Sequence, residues 1–233
     1  EPITLDAGKQ SIVIYIFSPD ELPTIYIEGD VIYSDPSWVA DNYVIQRPVG
    51  YSKLFTELSD NPAKIPYHHQ TIQPVSMTNI NNGLLVDFGK EINAALIFKN
   101  LTAPITVCYG ESKAEALDTK MCYYQQSNIT DQSKIAKRAF RYLFIPNYSA
   151  NSINVVADCI YLPMQNKSSF NSDDELLNNI WQASIRTFKL CSEVFYIDGI
   201  KRDRWIWGGD AYQDNYINQY SLFNEDVDKR TII

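Results

Sequence analysis

Apolar and polar positions follow one pattern up to about residue 167 and another beyond it. In the first part, apolar residues come in short runs of β-branched and aromatic type, bounded by polar, Pro- or Gly-containing stretches. Such runs predict strands. Ser11–Phe17 (SIVIYIF) reads as a strand buried on both faces, with Ser18, Pro19 and Asp20 opening the turn after it. Pro23–Glu28 and Tyr43–Arg47 read as two more strands. From Leu58 to Gln73 the pattern dissolves into Asp, Asn, Pro, Tyr and His, and a long surface loop is expected there. After Asn81-Asn82-Gly83, a strong turn signal, strands are predicted over Leu84–Phe88, Ala94–Lys99, Ile105–Tyr109, Phe140–Ile145 and Ile153–Tyr161. Lys113–Lys137 is polar and reads as a loop or excursion. Strands with polar connections and no intervening helices predict an antiparallel β-sandwich, jelly-roll-like in kind.

At Ser168 the character changes. Ser172-Asp-Asp-Glu175 has the spacing of a capping box. Leu177, Ile180, Trp181, Ser184, Phe188 and Cys191 then recur at helical spacing, which predicts an amphipathic helix over about 173–191 with that stripe as core. Phe195–Ile197 reads as a short extended piece. Asp210 is the expected N-cap of a second helix carrying Tyr212, Tyr216, Ile217, Tyr220 and Phe223, and Asn224 that of a third. Two helices cannot close a helical barrel, so the expectation is a fragment cut inside a second domain; the alternative is that the helices simply pack on the sandwich. Three segments result: an accessory β segment over 1–83, a β-sandwich domain over 84–167, and the start of a helical domain over 168–233.

Composition narrows the function classes. With 45% apolar residues the chain can bury a sizeable core. The net charge of −8 and the lack of a basic tail argue against nucleic acid or an anionic membrane as the partner. No apolar run approaches the length of a membrane span. Cys108, Cys122, Cys159 and Cys191 have no CxxC spacing, so zinc is not expected and buried free thiols are. His68 and His69 are expected as a loop pair, not a metal site. No calcium-loop spacing occurs, and neither metal nor cofactor is expected.

The chemistry concentrates in Asp198-Gly-Ile-Lys-Arg-Asp-Arg-Trp-Ile-Trp-Gly-Gly-Asp210. Asp198, Asp203 and Asp210 alternate with Lys201, Arg202 and Arg204, and Trp205 and Trp207 are interleaved. Gly199, Gly208 and Gly209 argue against a steady helix through the segment. A solvated, self-neutralising charged face is the plain structural alternative. The two tryptophans point instead to a binding wall, with the three acids facing one pocket and the arginines turned away.

This stretch, Asp198-Gly-Ile-Lys-Arg-Asp-Arg-x-x-Trp-x-Gly-Asp210, resembles the signature of α-L-rhamnosidases of glycoside hydrolase family 78. Ser169–Trp181, Asp87-Phe-Gly-Lys-Glu91, Tyr109-Gly-Glu111 and Phe140-Arg-Tyr142 also resemble family segments. The resemblance implies β-sandwich domains ahead of an (α/α)6 barrel, here truncated, and hydrolysis of terminal α-L-rhamnose with inversion. It implies Asp203 as general acid, Asp198 and Asp210 as sugar-binding acids, and Arg202 and Trp207 lining or buttressing the pocket; Trp205 is a substrate-binding candidate from the residue pattern alone. Many members carry Glu where this chain has Asp203. The family's general base, a later Glu, would lie beyond residue 233, so the fragment is expected to be inactive and to depend on the remainder of its catalytic domain. The expected partner is a rhamnose-containing glycan or glycoside, and the expected location periplasmic or extracellular. The alternative is a non-catalytic carbohydrate-binding or structural β-sandwich module.

Inversion needs an acid that holds its proton and a base that activates water on the other ring face, roughly 6.5–9.5 Å away. An Asp starts near about 3.9, so neighbouring acids and burial must lift it.

Overall fold

A computed structural model describes residues 25–41, 44, 46–49, 68–80, 82–149 and 153–232, with isolated positions 4, 6–8, 14, 53 and 57. The chain divides into two compact units, Glu1–Tyr67 and His68–Ile233. In the first, β1 (Val39–Asp41) and β2 (Gln46–Pro48) form a two-stranded antiparallel sheet. The strand expected over Ser11–Phe17 lies outside the described residues, apart from Ile14. Ile25–Glu28 is not a strand. The Ile27 amide instead donates to Ser34 Oγ at 2.8 Å, and Ile27 O accepts from the Ser34 amide at 2.9 Å.

The second unit is built on one seven-stranded antiparallel sheet. Its strands are β3 (His68–Ile72), β4 (Ser76–Ile80), β5 (Gly83–Lys99), β6 (Ile105–Gly110), β7 (Tyr124–Ile129), β8 (Arg138–Pro146) and β9 (Asn154–Tyr161). The order is β3-β9-β5-β8-β6-β7, with β4 on β5. The strands expected over 84–88 and 94–99 are thus one strand. Gly89, Lys90 and Glu91 look like a turn in sequence, but a shift of register between Asp87 and Ile92 absorbs them as a bulge. Gly89 has φ +79, a backbone that side chains rarely adopt, and its amide donates to Asp87 Oδ1 at 2.6 Å.

The bulge keeps the alternation in phase. Leu84, Val86 and Phe88 before it and Ile92, Ala94, Leu96 and Phe98 after it all enter one core. Ile105, Val107 and Tyr109 of β6 and Val155, Ala157 and Cys159 of β9 meet them there. Phe140 is fully buried, edge-on to Phe88 and to Tyr109 at 5.4 Å between ring centroids in each case.

Two expected loops are partly regular. The Lys113–Lys137 excursion contains α1 (Lys113–Leu117), capped by the Ser112 hydroxyl, and strand β7. His68 and His69 stand on the edge strand β3, where His69 Nδ1 lies 2.9 Å from Asp158 Oδ2. Neither segment was readable from hydrophobic alternation, since both strands are largely exposed. All four cysteines are free thiols.

The helices differ in detail from expectation. α2 (Glu175–Leu190) is capped by Asp174, whose carboxylate accepts from the Leu176 amide; Ser172 only accepts from the Asp174 amide. α2 buries Ile185 and Phe188, whereas Leu177 and Ile180 of the predicted core stripe are exposed. α3 (Gly208–Ser221) starts two residues before Asp210, so Asp210 sits in its first turn and Trp207 occupies the cap position without a side-chain bond. Gly208 and Gly209 therefore begin the helix, where the first amides need no intrahelical acceptor. α3 buries Asn218 and Ser221 and leaves Tyr212, Tyr216, Ile217 and Tyr220 exposed. Asn224 caps α4 (Glu225–Ile232) as expected, accepting from the Asp226 and Val227 amides. The helices are joined through Met164, Phe188, Tyr196, Leu222 and Val227, and through a satisfied polar knot. Asn218 and the Tyr196 hydroxyl bind opposite oxygens of Asp228 at 2.8 and 2.6 Å. Among the described residues no helix is long and apolar enough to cross a membrane.

Candidate functional site

The charged stretch begins where α2 ends. Ser192 Oγ donates to Phe188 O at 2.7 Å, Ser192 bridges to Tyr196, and the Ile197 amide donates to Cys191 O at 2.9 Å. The chain is thereby folded back, and Asp198 emerges beside the helix end. A closed loop follows. The Asp198 amide donates to Trp205 O at 3.1 Å, and the Trp205 amide donates to Asp198 Oδ1 at 3.0 Å. Arg202 Nε donates to Asp198 Oδ2 at 3.1 Å. The Asp198 side chain is 1% exposed and that of Arg202 70%. Both oxygens of Asp198 are thus engaged within its own loop. Arg204 completes the turn at φ +52.

Lys201 ties this loop to the sheet. Its ammonium donates to Glu111 Oε2 at 2.9 Å and to Glu115 Oε1 at 2.8 Å, and lies 5.1 Å from the Tyr123 ring centroid. Burial opposes its charge, but the two carboxylates outweigh this and raise its pKa. Glu111 in turn faces Glu91. Burial, the hydrogen bond to Glu111 and that residue's charge push Glu91 up to about 7, while the bond from Glu91 holds Glu111 below the usual carboxylate range. The first proton the pair takes up is favoured on Glu91, where burial opposes the charge most strongly. Nearby, Arg141 grips Asp87 with both arms, Nε to Oδ1 at 2.9 Å and Nη2 to Oδ2 at 3.0 Å, and lies over the Tyr142 ring. Of the sequence segments weak by themselves, the one around Glu111 is thus tied to the loop through Lys201, and those around Asp87 and Arg141 are tied to each other across neighbouring strands.

The cleft at this loop holds Asp203 without the other two aspartates. Asp203 and Arg204 line a cleft of about 330 Å3 with Lys137, Glu193 and Phe195. That cleft contains neither Asp198 nor Asp210, and neither indole. No bond joins a guanidinium to Asp203 among those described; Arg202 goes to Asp198 instead. Trp205 and Trp207 are 63% and 51% exposed, and Asp210 is exposed in the first turn of α3. Asp210 acts on Asp214 one helical turn on. Burial first, then the charge of Asp210, raises Asp214 to about 6. Asp214 and Asp198 also act on the Cys191 thiol, which burial chiefly pushes up to about 11. Asp198 and Asp214 thus both act on Cys191, Asp210 acts on Asp214, and Asp203 lines a cleft that includes none of them.

Asp214 escaped the sequence reading, and Glu91 entered it only as the end of the Asp87–Glu91 segment, without a role. The four-residue step from Asp210 to Asp214, one face of a helix, was a signal that could have found Asp214. The pairing of Glu91 with Glu111 has no local signal, since it is made across the sheet. Chemically, the region offers exposed carboxylates and indoles for hydroxyl groups and C–H faces, and acids that keep a proton near neutrality. Among the described residues no three His, Cys, Asp or Glu side chains are grouped to hold a metal ion.

Residues 44–145 match the family model described as "Alpha-rhamnosidase-like, bacteroidetes, N-terminal". No curated protein matches the chain. Solved structures do. The chain resembles a rhamnosidase from Klebsiella oxytoca with rhamnose bound, at 15% identity and TM-score 0.55, over 70% of this chain and 43% of that one. It resembles the Streptomyces avermitilis α-L-rhamnosidase complexed with L-rhamnose at 11% identity and TM-score 0.53, over 69% and 18%. The α-L-rhamnosidase from Dictyoglumus thermophilum matches at 17% identity and TM-score 0.50, over 66% and 20%. The chain spans less than half the length of each. At these identities the structural likeness is one of fold. The likeness to α-L-rhamnosidases read from the Asp198–Asp210 motif is thus met by an independent family match and by shared folds.

Proposed function

We propose that these residues are the N-terminal part of an inverting glycoside hydrolase that removes terminal α-L-rhamnose from glycans or glycosides. The observation that carries the reading is the Asp198–Asp210 loop, closed by Asp198 and anchored by Lys201 to a sheet of rhamnosidase-like fold. In this proposal Asp203 is the general acid and Asp210 binds the sugar. Trp205 and Trp207 present ring faces to sugar C–H groups, and Arg202 buttresses the wall by holding Asp198. Asp198 serves the sugar only through whatever lone pairs its loop leaves open. Asp214 keeps its proton to about pH 6 and is the best placed of the neighbouring acids to hold Asp210 in register.

The helices after residue 168 are, in the same proposal, the first of an (α/α)6 barrel. Their exposed apolar residues support this: Leu176, Leu177 and Ile180 on α2, and Tyr212, Tyr216 and Tyr220 on α3, form faces suited to neighbouring barrel helices. The general base is then carried outside these 233 residues, and the 233 residues alone do not turn over substrate. A periplasmic or extracellular location fits a glycan substrate. Hydrolysis of an aryl α-L-rhamnoside tests this. Turnover by a form extended through the whole helical domain, and none by residues 1–233, is expected. Appreciable turnover by residues 1–233, or none by the extended form, overturns it.

A further inference from the structure

A separate cleft of about 430 Å3 opens between the C-terminal half of α2 and strands β3, β5 and β9. Its size falls within the roughly 300–1,000 Å3 of small-molecule sites. The wall is mostly apolar, with Ile72, Phe88 and Leu190 among its residues. Asn93, on β5 just past the bulge, also lines it and is only 4% exposed. Its amide nitrogen donates to Glu193 Oε1 at 2.8 Å, but its Oδ1 is buried with no partner. An orphaned buried acceptor costs about 1–3 kcal/mol, so a native protein seldom keeps one without use.

The charges facing the cleft are not balanced. Arg186 gives one donor to the Glu91 carbonyl, and Lys189 gives one to Met164 O at 2.9 Å. No further bond of either cation is seen among the described residues, and each has more donors to offer. Burial lowers the pKa of both, the mark of cations partly stripped of water. Lys90 adds a third positive group. On the acidic side, Glu193 is already held by Lys137 at 2.6 Å, and Glu91 keeps its proton to about 7. An anion is therefore the favoured guest.

We propose that this cleft binds a hydroxylated carboxylate of monosaccharide size, with the chemistry of a sugar acid. Its carboxylate meets Arg186 and Lys189, one hydroxyl donates to Asn93 Oδ1, and its C–H face lies on Phe88 and Leu190. The site does not depend on the hydrolase reading, since none of these residues belongs to the Asp198–Asp210 loop.

The test is calorimetric titration of the chain with D-glucuronate, with D-glucose as the neutral control, at low salt and pH 6.5. Saturable binding of glucuronate and none of glucose is expected. Lys189→Gln and Arg186→Met should each weaken it about tenfold or more. Lys189→Gln is the milder change, and an unaltered melting temperature certifies its fold. Asn93→Leu should abolish discrimination in favour of the hydroxylated acid over propionate. An oligosaccharide ending in a uronic acid that binds tighter than free glucuronate identifies a glycan end as the source; equal binding identifies the free acid. No saturable glucuronate binding at millimolar concentration, equal binding of glucose, or undiminished binding by both cation variants overturns the proposal.

Discussion

Replacing Asp198 by Ala removes the acceptor that closes the charged loop. Two bonds are lost: one from the Trp205 amide at 3.0 Å, and one from Arg202 Nε at 3.1 Å. They are not equal. Arg202 is 70% exposed and regains water when its partner goes, so its bond is worth about 0–1 kcal/mol. The Trp205 amide bonds a carboxylate that is 1% exposed. Such a charge-assisted bond contributes about 1.5–3 kcal/mol. Asp198→Ala should therefore cost about 2–3 kcal/mol, and Arg202→Ala under about 1. Asp198→Asn should fall between, because its amide oxygen still accepts from Trp205 while its NH2 meets Arg202 poorly. Urea unfolding followed by far-UV circular dichroism gives the three values, and acrylamide quenching of tryptophan reports loosening of the loop. Equal costs for Asp198→Ala and Arg202→Ala would refute the view that Asp198 works mainly as a backbone clasp. So would an Asp198→Ala variant as stable as the parent.

Phe140→Ala empties a fully buried site between Phe88 and Tyr109, and should cost about 3–5 kcal/mol in urea unfolding without a change of fold by circular dichroism. Gly89→Ala should cost about 1–2 kcal/mol for its φ of +79, with some further loss because the added methyl would stand 3.0 Å from Val75 Cγ1; the melting temperature reads it. For pH, Glu91 keeps its proton to about 7 when folded but releases it near its ordinary 4.5 when unfolded. The folded state binds more protons between those values, so stability falls as pH rises from about 4.5 to 7 and stays lower above. The drop should be about 1–2 kcal/mol once screening at a half-buried site is allowed for, and Glu91→Gln should flatten it in melting curves taken at pH 5 and pH 8.

What the sequence disclosed follows from how local each signal is. Asn224 as a cap, α2 as a helix and the strands around Val86, Val107, Leu143 and Val155 each depend on neighbours within a few residues, and each is found. The bulge at Gly89–Glu91 misled because a polar triplet reads as a turn, although the strand runs on through it as a shift of register. β3 and β7 were missed since exposed edge strands need no apolar alternation. The core stripe of α2 was misjudged for a different reason: periodicity shows that a face is apolar, not what covers it. Asp210 looked like a cap because Asp usually is one, yet the helix starts ahead of it at Gly208. In the candidate site, the Asp198–Asp210 loop was legible by its chemistry. The partners of Lys201 were not, since Glu111 and Glu115 lie about ninety positions earlier and meet it only through the sheet.

In the proposed enzyme, Asp203 is the proton donor on which release of rhamnose depends. The most direct test follows an aryl α-L-rhamnoside by 1H NMR with the form extended through the helical domain, as wild type and as Asp203→Asn. β-L-Rhamnose is expected as the first product, and a kcat lowered at least about a hundredfold by the substitution. First release of the α-anomer, or a kcat that Asp203→Asn leaves unchanged, would contradict this role.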